Sequence, residues 1–200
     1  MSQRVCLFGG TFDPIHSAHL RIAQEALHRC HLDRVLFIPA GNPPHKDASG
    51  LTPYEDRFRM VEIACAPYPQ FAASRLEEGQ ARSYTIDTVK RFRKELAPDD
   101  HLFFLIGGDA FDEIKTWKNW PELIQLTEFV VVARPGRKYR IPEGAVVHRL
   151  DKLALPVSSS GIRARLAEGG PTPELPKKVR ALIEERGLYS FGKTKATVSP

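Results

Sequence analysis

No stretch of the chain approaches the ~20 consecutive apolar residues that a bilayer-spanning helix needs, and Met1-Ser2-Gln3-Arg4 leads directly into a short apolar run. Neither a membrane span nor a secretory leader is therefore expected, and the cytoplasm is the expected location. Cysteine is scarce. Cys6, Cys30 and Cys65 are odd in number and lack C-x-x-C spacing, which argues against a disulfide framework or a structural zinc site and predicts free thiols. Charge of one sign does not dominate either. Twenty-nine basic against twenty-four acidic residues leave +5, a balance that favours acidic ligands, but without the basic stripe or aromatic platform of a nucleic-acid binder. The densest run, Lys90-Arg91-Phe92-Arg93-Lys94, reads as a solvated helix face. No internal repeat or long low-complexity segment is present. One domain over 1–190 is the simplest organisation, with a core in about 1–150, a C-terminal motif and helices in about 151–190, and a polar tail at 191–200.

What the chain does have is a recurrent pattern: an apolar run ending in glycine or polar residues at the start of a helix. The first instance is the most informative. Arg4 to Phe8 reads as a buried strand and is followed by Gly9-Gly10-Thr11-Phe12-Asp13-Pro14-Ile15-His16-Ser17-Ala18-His19. The glycines predict a sharp turn that exposes backbone N–H groups, Pro14 stiffens the loop, and a helix is expected from about Ser17. The unpaired N–H groups and positive dipole end of a helix start favour an anion. His16 and His19, three apart, face one side of that first turn. This is the expected form of a phosphate site.

Further strands are expected at Val35 to Ile38, weakly at Gln70 to Ser74, at Leu102 to Ile106, at Phe129 to Val132 and at Ala145 to Arg149, with helices between them. Such alternation predicts an α/β fold: a Rossmann-like, doubly wound, mainly parallel sheet flanked by helices, with a small C-terminal helical part. Ligands then sit at the carboxyl ends of the strands. The loop Asn42-Pro43-Pro44-His45-Lys46 leaves one such end, and its residues suit a surface loop as well as a ligand loop. Thr52-Pro53-Tyr54-Glu55 reads as a capping box opening a purely structural helix to about Ala66. Ser83-Tyr84-Thr85 starts a helix reaching Leu96, where Ser83 or Thr85 is either a cap or a ligand contact. Gly107-Gly108-Asp109 lets a nucleoside approach, with Asp109 suited to ribose hydroxyls or to a helix cap. Arg134 ends the next strand, where a guanidinium can hold a carboxylate or phosphate. Ser158-Ser159-Ser160-Gly161-Ile162-Arg163 suits plain helix caps, but a serine-rich helix start followed by Arg163 is also the expected form of a second anion site.

The first stretch resembles the G-x-F-x-P-x-H-x-G-H signature of the nucleotidyltransferase superfamily that includes the nicotinate-nucleotide adenylyltransferases, with Ala18 where that signature has glycine. Val157 to Arg163 is similar to the same superfamily's I-S-S-T-x-I-R motif. Pro43-Pro44-His45-Lys46, Ser83-Tyr84-Thr85, Thr116-Trp117 and Arg134-Pro135-Gly136 resemble shorter strings of the nicotinate-nucleotide adenylyltransferase family. The resemblance implies transfer of AMP from ATP to nicotinate mononucleotide, giving deamido-NAD and pyrophosphate. It places ATP on Gly9, Gly10, Thr11, Phe12, His19, Gly107, Asp109, Ser158, Ser159, Ile162 and Arg163. Nicotinate mononucleotide falls to Asn42, His45, Lys46, Ser83, Tyr84, Thr85, Trp117 and Arg134, and His16, His19 and Arg163 are implied to be catalytic. Mg2+ is expected to arrive with ATP, with no metal ligand from the protein.

No nucleic-acid or membrane partner is expected, and a homo-oligomer is left open. The alternatives are an adenylyltransferase acting on nicotinamide mononucleotide or another phosphorylated acceptor, and a catalytically idle nucleotide sensor. Gly187-Leu188-Tyr189-Ser190-Phe191-Gly192-Lys193-Thr194 spells a Walker A motif. It follows a helix rather than a strand, so it is read as a helix C-cap running into the tail.

Overall fold

The computed structural model describes residues 2–42, 50–80, 82–133, 136, 139–150, 153 and 156–190. Six strands form one sheet: β1 (Arg4–Gly10), β2 (Arg34–Pro39), β3 (Phe71–Ala73), β4 (His101–Gly107), β5 (Glu128–Val132) and β6 (Val147–Leu150). Their spatial order is β3-β2-β1-β4-β5-β6, and every neighbouring pair is parallel. This is the doubly wound order, whose direction of progression reverses between β1 and β4, where a crevice opens at the carboxyl edge. The helices are α1 (Ser17–Arg29), α2 (Tyr54–Cys65), α3 (Thr85–Arg93), α4 (Gly108–Asp112), α5 (Trp120–Leu126), α6 (Ser159–Ala167) and α7 (Lys177–Glu185). The alternation of β1 sorts them into two layers. Cys6 and Phe8 pack with Leu20 and Ala23 of α1, Val61 of α2, Ile162 of α6 and Val179 of α7. Val5 and Leu7 face the other way, toward Val89 of α3, Phe111 of α4 and Leu123 of α5. The C-terminal helices thus share the core of the first layer.

Three expectations about local geometry are corrected. Gly9 and Gly10 do not turn; they finish β1, opposite Ile38 and Pro39 of β2. The left-handed residue is Phe12, at φ 49, and its ring folds back over the strand so closely that a Cβ on Gly10 would lie 2.8 Å from it. The glycine is needed for that close approach rather than for a turn. The second correction concerns Thr52. The N-cap of α2 is Pro53, with no side-chain cap. The main chain of Thr52 is used elsewhere: its N–H points at Asp13 Oδ2, 3.5 Å away, and its carbonyl accepts from Arg57 Nε at 2.9 Å. Neither Ser83 nor Thr85 caps α3, whose N-cap is Tyr84. Helix α5 carries Pro121 in its first turn, a helix-start signal.

The basic run at 90–94 is tied to its surroundings. Lys90 pairs with Glu122 at 2.7 Å, Arg91 donates to the Leu76 carbonyl, Arg93 donates to the carbonyls of Asp100 at 2.7 Å and Pro98 at 3.0 Å, and Phe92 is buried. Cys6, Cys30 and Cys65 are free and buried. No helix among the described residues is long and apolar enough to cross a membrane.

Arg57 is the charged member of a buried helical stripe that also holds Met60, Val61 and Ala64. It is 1% exposed, and its guanidinium also donates to the Thr11 carbonyl at 2.9 Å. Replacing Arg57 with methionine is expected to lower the unfolding free energy by about 2–3 kcal/mol, since two carbonyls lose a charged donor. Urea titration measures it; an unchanged midpoint would show that those carbonyls find other partners.

Candidate active site

At the carboxyl edge, between β1, β4 and β5, lies a cleft of about 990 Å³, large enough for a nucleotide. The elements that reach it do so by helix starts. All six strands are parallel, so each following helix begins at that edge and turns its N–H groups toward it. His16, Ala18 and His19 come from the start of α1, Gly107, Gly108 and Asp109 from that of α4, and Ser158 and Ser159 from that of α6; Phe8, Leu105, Val132, Ala133 and Val157 add apolar wall. No acidic side chain lies in the first turn of α1 or of α6, so both dipole ends remain positive toward the cleft.

His16 is the N-cap of α1. Its backbone N–H donates to His19 Nδ1 at 3.2 Å, which leaves Nδ1 of His19 without a proton and makes Nε2–H its donor. The two imidazoles stack, with centroids 3.8 Å apart, and His19 is also flanked edge-on by Phe8 and Phe12. Burial pushes the His16 pKa down to about 4 against a partial upward pull from Glu174. Burial first, and then His16, push His19 down to about 3. Both rings are therefore neutral donors near pH 7, not cations.

Ser158 caps α6, accepting from the Gly161 N–H at 3.2 Å. Ser159 Oγ donates to the Pro14 carbonyl at 3.0 Å, so its hydroxyl proton is engaged within the protein. Arg163 Nη1 donates to the Asp13 carbonyl at 2.7 Å, which leaves the other guanidinium donors for a ligand. Ile162 is buried beneath the motif. The sequence-expected residues thus divide. His16, His19, Gly107, Asp109, Ser158 and Ser159 line the cleft. Gly9, Gly10, Thr11, Phe12, Ile162 and Arg163 build the wall and loop behind it. Asp109 is the second residue of α4, whose cap is Gly107, so the capping alternative for Asp109 does not hold. Ala18 is 5% exposed and forms part of the lining.

Of the residues expected around the mononucleotide, Asn42 and Ser83 meet where the chain leaving β2 reaches the start of α3. Ser83 Oγ accepts from the N–H groups of Gly41 at 3.1 Å and Asn42 at 3.2 Å, and Ser83 N–H donates to the Asn42 carbonyl at 3.2 Å. The loop after β2 is thereby fastened to the start of α3. A Cβ on Gly41 would fall 2.0 Å from the Glu77 carbonyl oxygen, so this junction requires glycine. Tyr84 lies under Lys118, whose Nζ is 4.5 Å from the ring centroid, and accepts at its hydroxyl from Arg82 at 3.4 Å. Thr85 is the first residue of α3. Trp117 is half-buried against the second core layer. His45, Lys46 and Arg134 lie outside the described residues.

Three contributors were not foreseen: Asp13, Arg57 and Tyr189. Asp13 is 4% exposed, and its Oδ1 accepts from the Tyr189 hydroxyl at 2.7 Å. Only Arg57 left a sequence signal, a charge in register with an apolar stripe.

Comparison with known proteins agrees with this geometry. The Cytidylyltransferase-like family model matches residues 7–165. A protein of Solibacter usitatus (strain Ellin6076) named "Probable nicotinate-nucleotide adenylyltransferase" is 52% identical over 94% of this chain and 100% of its own length. One of the same name from Shouchella clausii (strain KSM-K16) is 45% identical over 94% of this chain and 97% of its own. Among solved structures, the Plasmodium falciparum nicotinic acid mononucleotide adenylyltransferase complexed with NaAD superposes with a TM-score of 0.77 at 21% identity, covering 96% of this chain and 99% of that one; at that identity it speaks for the fold. With the opening and closing motifs meeting at one cleft and relatives aligned over nearly their whole length, the chain belongs to the Cytidylyltransferase-like family and, within it, to the nicotinate-nucleotide adenylyltransferases.

Proposed function

We propose that the cleft holds ATP beside nicotinate mononucleotide, and that the chain joins the mononucleotide's 5′-phosphate to the α-phosphorus of ATP with loss of pyrophosphate. The observation that supports it is the convergence of two positive helix starts, α1 with His16 and His19 and α6 with Ser158, on one cleft. The attacking phosphate oxygen is already anionic, so no protein nucleophile is required. The residues must hold two anions in line and neutralise charge that grows on the transferring and leaving oxygens.

His19 Nε2–H, His16 and the α1 dipole are assigned to the α-phosphate. The α6 amides, the Ser158 hydroxyl and the remaining Arg163 donors are assigned to the β- and γ-phosphates. The Ser159 contribution is its backbone N–H, because its hydroxyl proton is engaged by Pro14. Gly107 and Asp109 are assigned to adenosine. The fastened loop of Asn42 and Ser83, with His45, Lys46, Tyr84, Thr85, Trp117 and Arg134, is assigned to the mononucleotide. Among the described residues no group of three or more His, Cys, Asp and Glu can hold a metal ion. Mg2+ is assigned to the MgATP substrate, held mainly by its phosphates, because this cation keeps several waters and binds substrate phosphates readily. Neutral imidazoles suit this role, since they donate to phosphate oxygens without competing with that cation by charge.

Turnover of ATP with nicotinate mononucleotide and with nicotinamide mononucleotide tests the reading. Faster pyrophosphate release with the acid is expected, because donors built for a ring carboxylate are left unmatched by the amide. Equal rates would move the substrate assignment to the amide or to both, and no pyrophosphate with either would favour a nucleotide sensor. In His16→Ala, kcat is expected to fall by about 10²–10³, the usual loss for one preorganised donor; a near-normal kcat would remove His16 from the reaction.

The depressed histidine pKa values also predict a pH dependence of stability. An unfolded imidazole protonates at its ordinary value, 6.5, while folded His16 and His19 resist to about 4 and about 3. The unfolded chain thus binds more protons between those limits, and stability declines as pH falls from 6.5 toward 4 by up to about 1.4 kcal/mol per unit for each ring. Denaturation midpoints measured between pH 7 and 4 for the wild type and for His16→Asn check this: the variant should show the shallower decline.

A further inference from the structure

The Walker-like segment that follows α7 contains a residue with a defined job elsewhere. Past the end of α7 the backbone enters the left-handed region three times in four residues, at Gly187 (φ 60), Tyr189 (φ 59) and Ser190 (φ 54). For glycine at a helix C-terminus this is ordinary. For Tyr189 and Ser190 it is a conformation that L-residues avoid, kept only where surrounding contacts enforce it. The contact here is the Tyr189 hydroxyl, which donates to Asp13 Oδ1 at 2.7 Å across 176 positions of sequence. At the other end of this bond the chain is also left-handed, at Phe12 (φ 49). Two strained turns, each at the end of a secondary-structure element, are thus pinned to each other by one part-buried hydrogen bond to a carboxylate.

We propose that Tyr189 is a positioning residue for adenylyl transfer: by clamping Asp13, it fixes the loop from Thr11 to Pro14 and with it His16, three residues farther on. The proposal rests on the cleft being the adenylyl-transfer site. Asp13 is suited to be the lever. Its main-chain carbonyl is held by Arg163 at 2.7 Å and its carboxylate by Tyr189, so the residue is anchored separately at both ends and the tyrosine governs only the side-chain end. The tyrosine is a dependable donor, because burial, and then the charge of Asp13, raise its pKa far above the ordinary phenol value. Its ring packs against the core layer that contains Phe12, Ile15 and Ile162, so phenylalanine can keep that packing and lose only the hydroxyl. None of this needs Lys193: the segment supports the phosphate loop from behind.

The experiment compares Tyr189→Phe with wild type, alone and combined with His16→Ala, at 25 °C and with folding checked by circular dichroism. Roughly a tenfold fall in kcat is expected, with KM for ATP and for the mononucleotide within about twofold, as misplacement of a reacting geometry produces. In the His16→Ala background the same change should cost less than about twofold, because a residue acting through His16 has nothing left to position. A kcat equal to wild type in the folded single variant would overturn the proposal, and so would a full tenfold loss in the His16→Ala background. Should Tyr189→Phe not fold, Asp13→Asn weakens the same bond from its other end and is read in the same way. Failure of the substrate reading is separable, since it shows as absent turnover in the wild type. Amide exchange over residues 11–16 then tests the clamp directly: faster exchange in Tyr189→Phe supports it, and unchanged exchange overturns it.

Discussion

Where β1 leaves the sheet, the main chain must cross to α1 with no ladder to accept its hydrogen bonds, and buried carbonyls left without donors are costly. In this protein the carbonyls of Thr11, Asp13 and Pro14 are each taken by a side chain from far along the sequence: Arg57, Arg163 and Ser159. The rest of the site depends on that arrangement. It ties α2 and α6 to one loop of four residues, to which the Tyr189 hydroxyl adds its bond to the Asp13 carboxylate, and it joins the starts of α1 and α6 in a single unit. The closing motif therefore has two tasks. Part of its hydrogen-bonding capacity builds the site, and only the remainder is available to a ligand.

The starts of α1 and α6 turn positive dipole ends to the cleft without crowding cations into it. The imidazoles of His16 and His19 are held neutral by burial, and the positive potential comes from helix starts and from Arg163, which is anchored at one nitrogen. Such a site is preorganised: its dipoles are fixed by the fold and need not reorient when charge develops on a phosphate. Within the stacked pair, the bond from the His16 N–H to His19 Nδ1 also sets which nitrogen of His19 donates, a choice that a freely rotating side chain would leave unmade.

Particular residues show how far a sequence reading reaches. His16, His19, Asp109 and Ser158 were legible because helix starts and strand ends leave local marks, and the structure places all four on one cleft. Gly10 was legible as special but for the wrong reason, since the ring of Phe12 that demands a glycine comes from a residue whose left-handed backbone no propensity announces. Ser83 was seen as a cap or a ligand contact; it is a clasp on the loop after β2, a role set by a partner forty residues away. Asp13 and Tyr189 carried no sign at all, because their significance lies in a bond spanning nearly the whole chain.

The sequence by itself determined the order of strands and helices along the chain, the parallel sheet, and the two helix starts, of α1 and α6, that meet at the cleft, because periodicity, glycine placement and capping act over a few residues. Tertiary structure alone decided how each polar group is used: that the histidines are neutral, that Ser159 spends its proton on Pro14, that Arg57 is structural and buried, and that Tyr189 reaches Asp13. These follow from desolvation and from hydrogen-bond saturation. Both depend on which distant groups share a volume, and no local pattern encodes that.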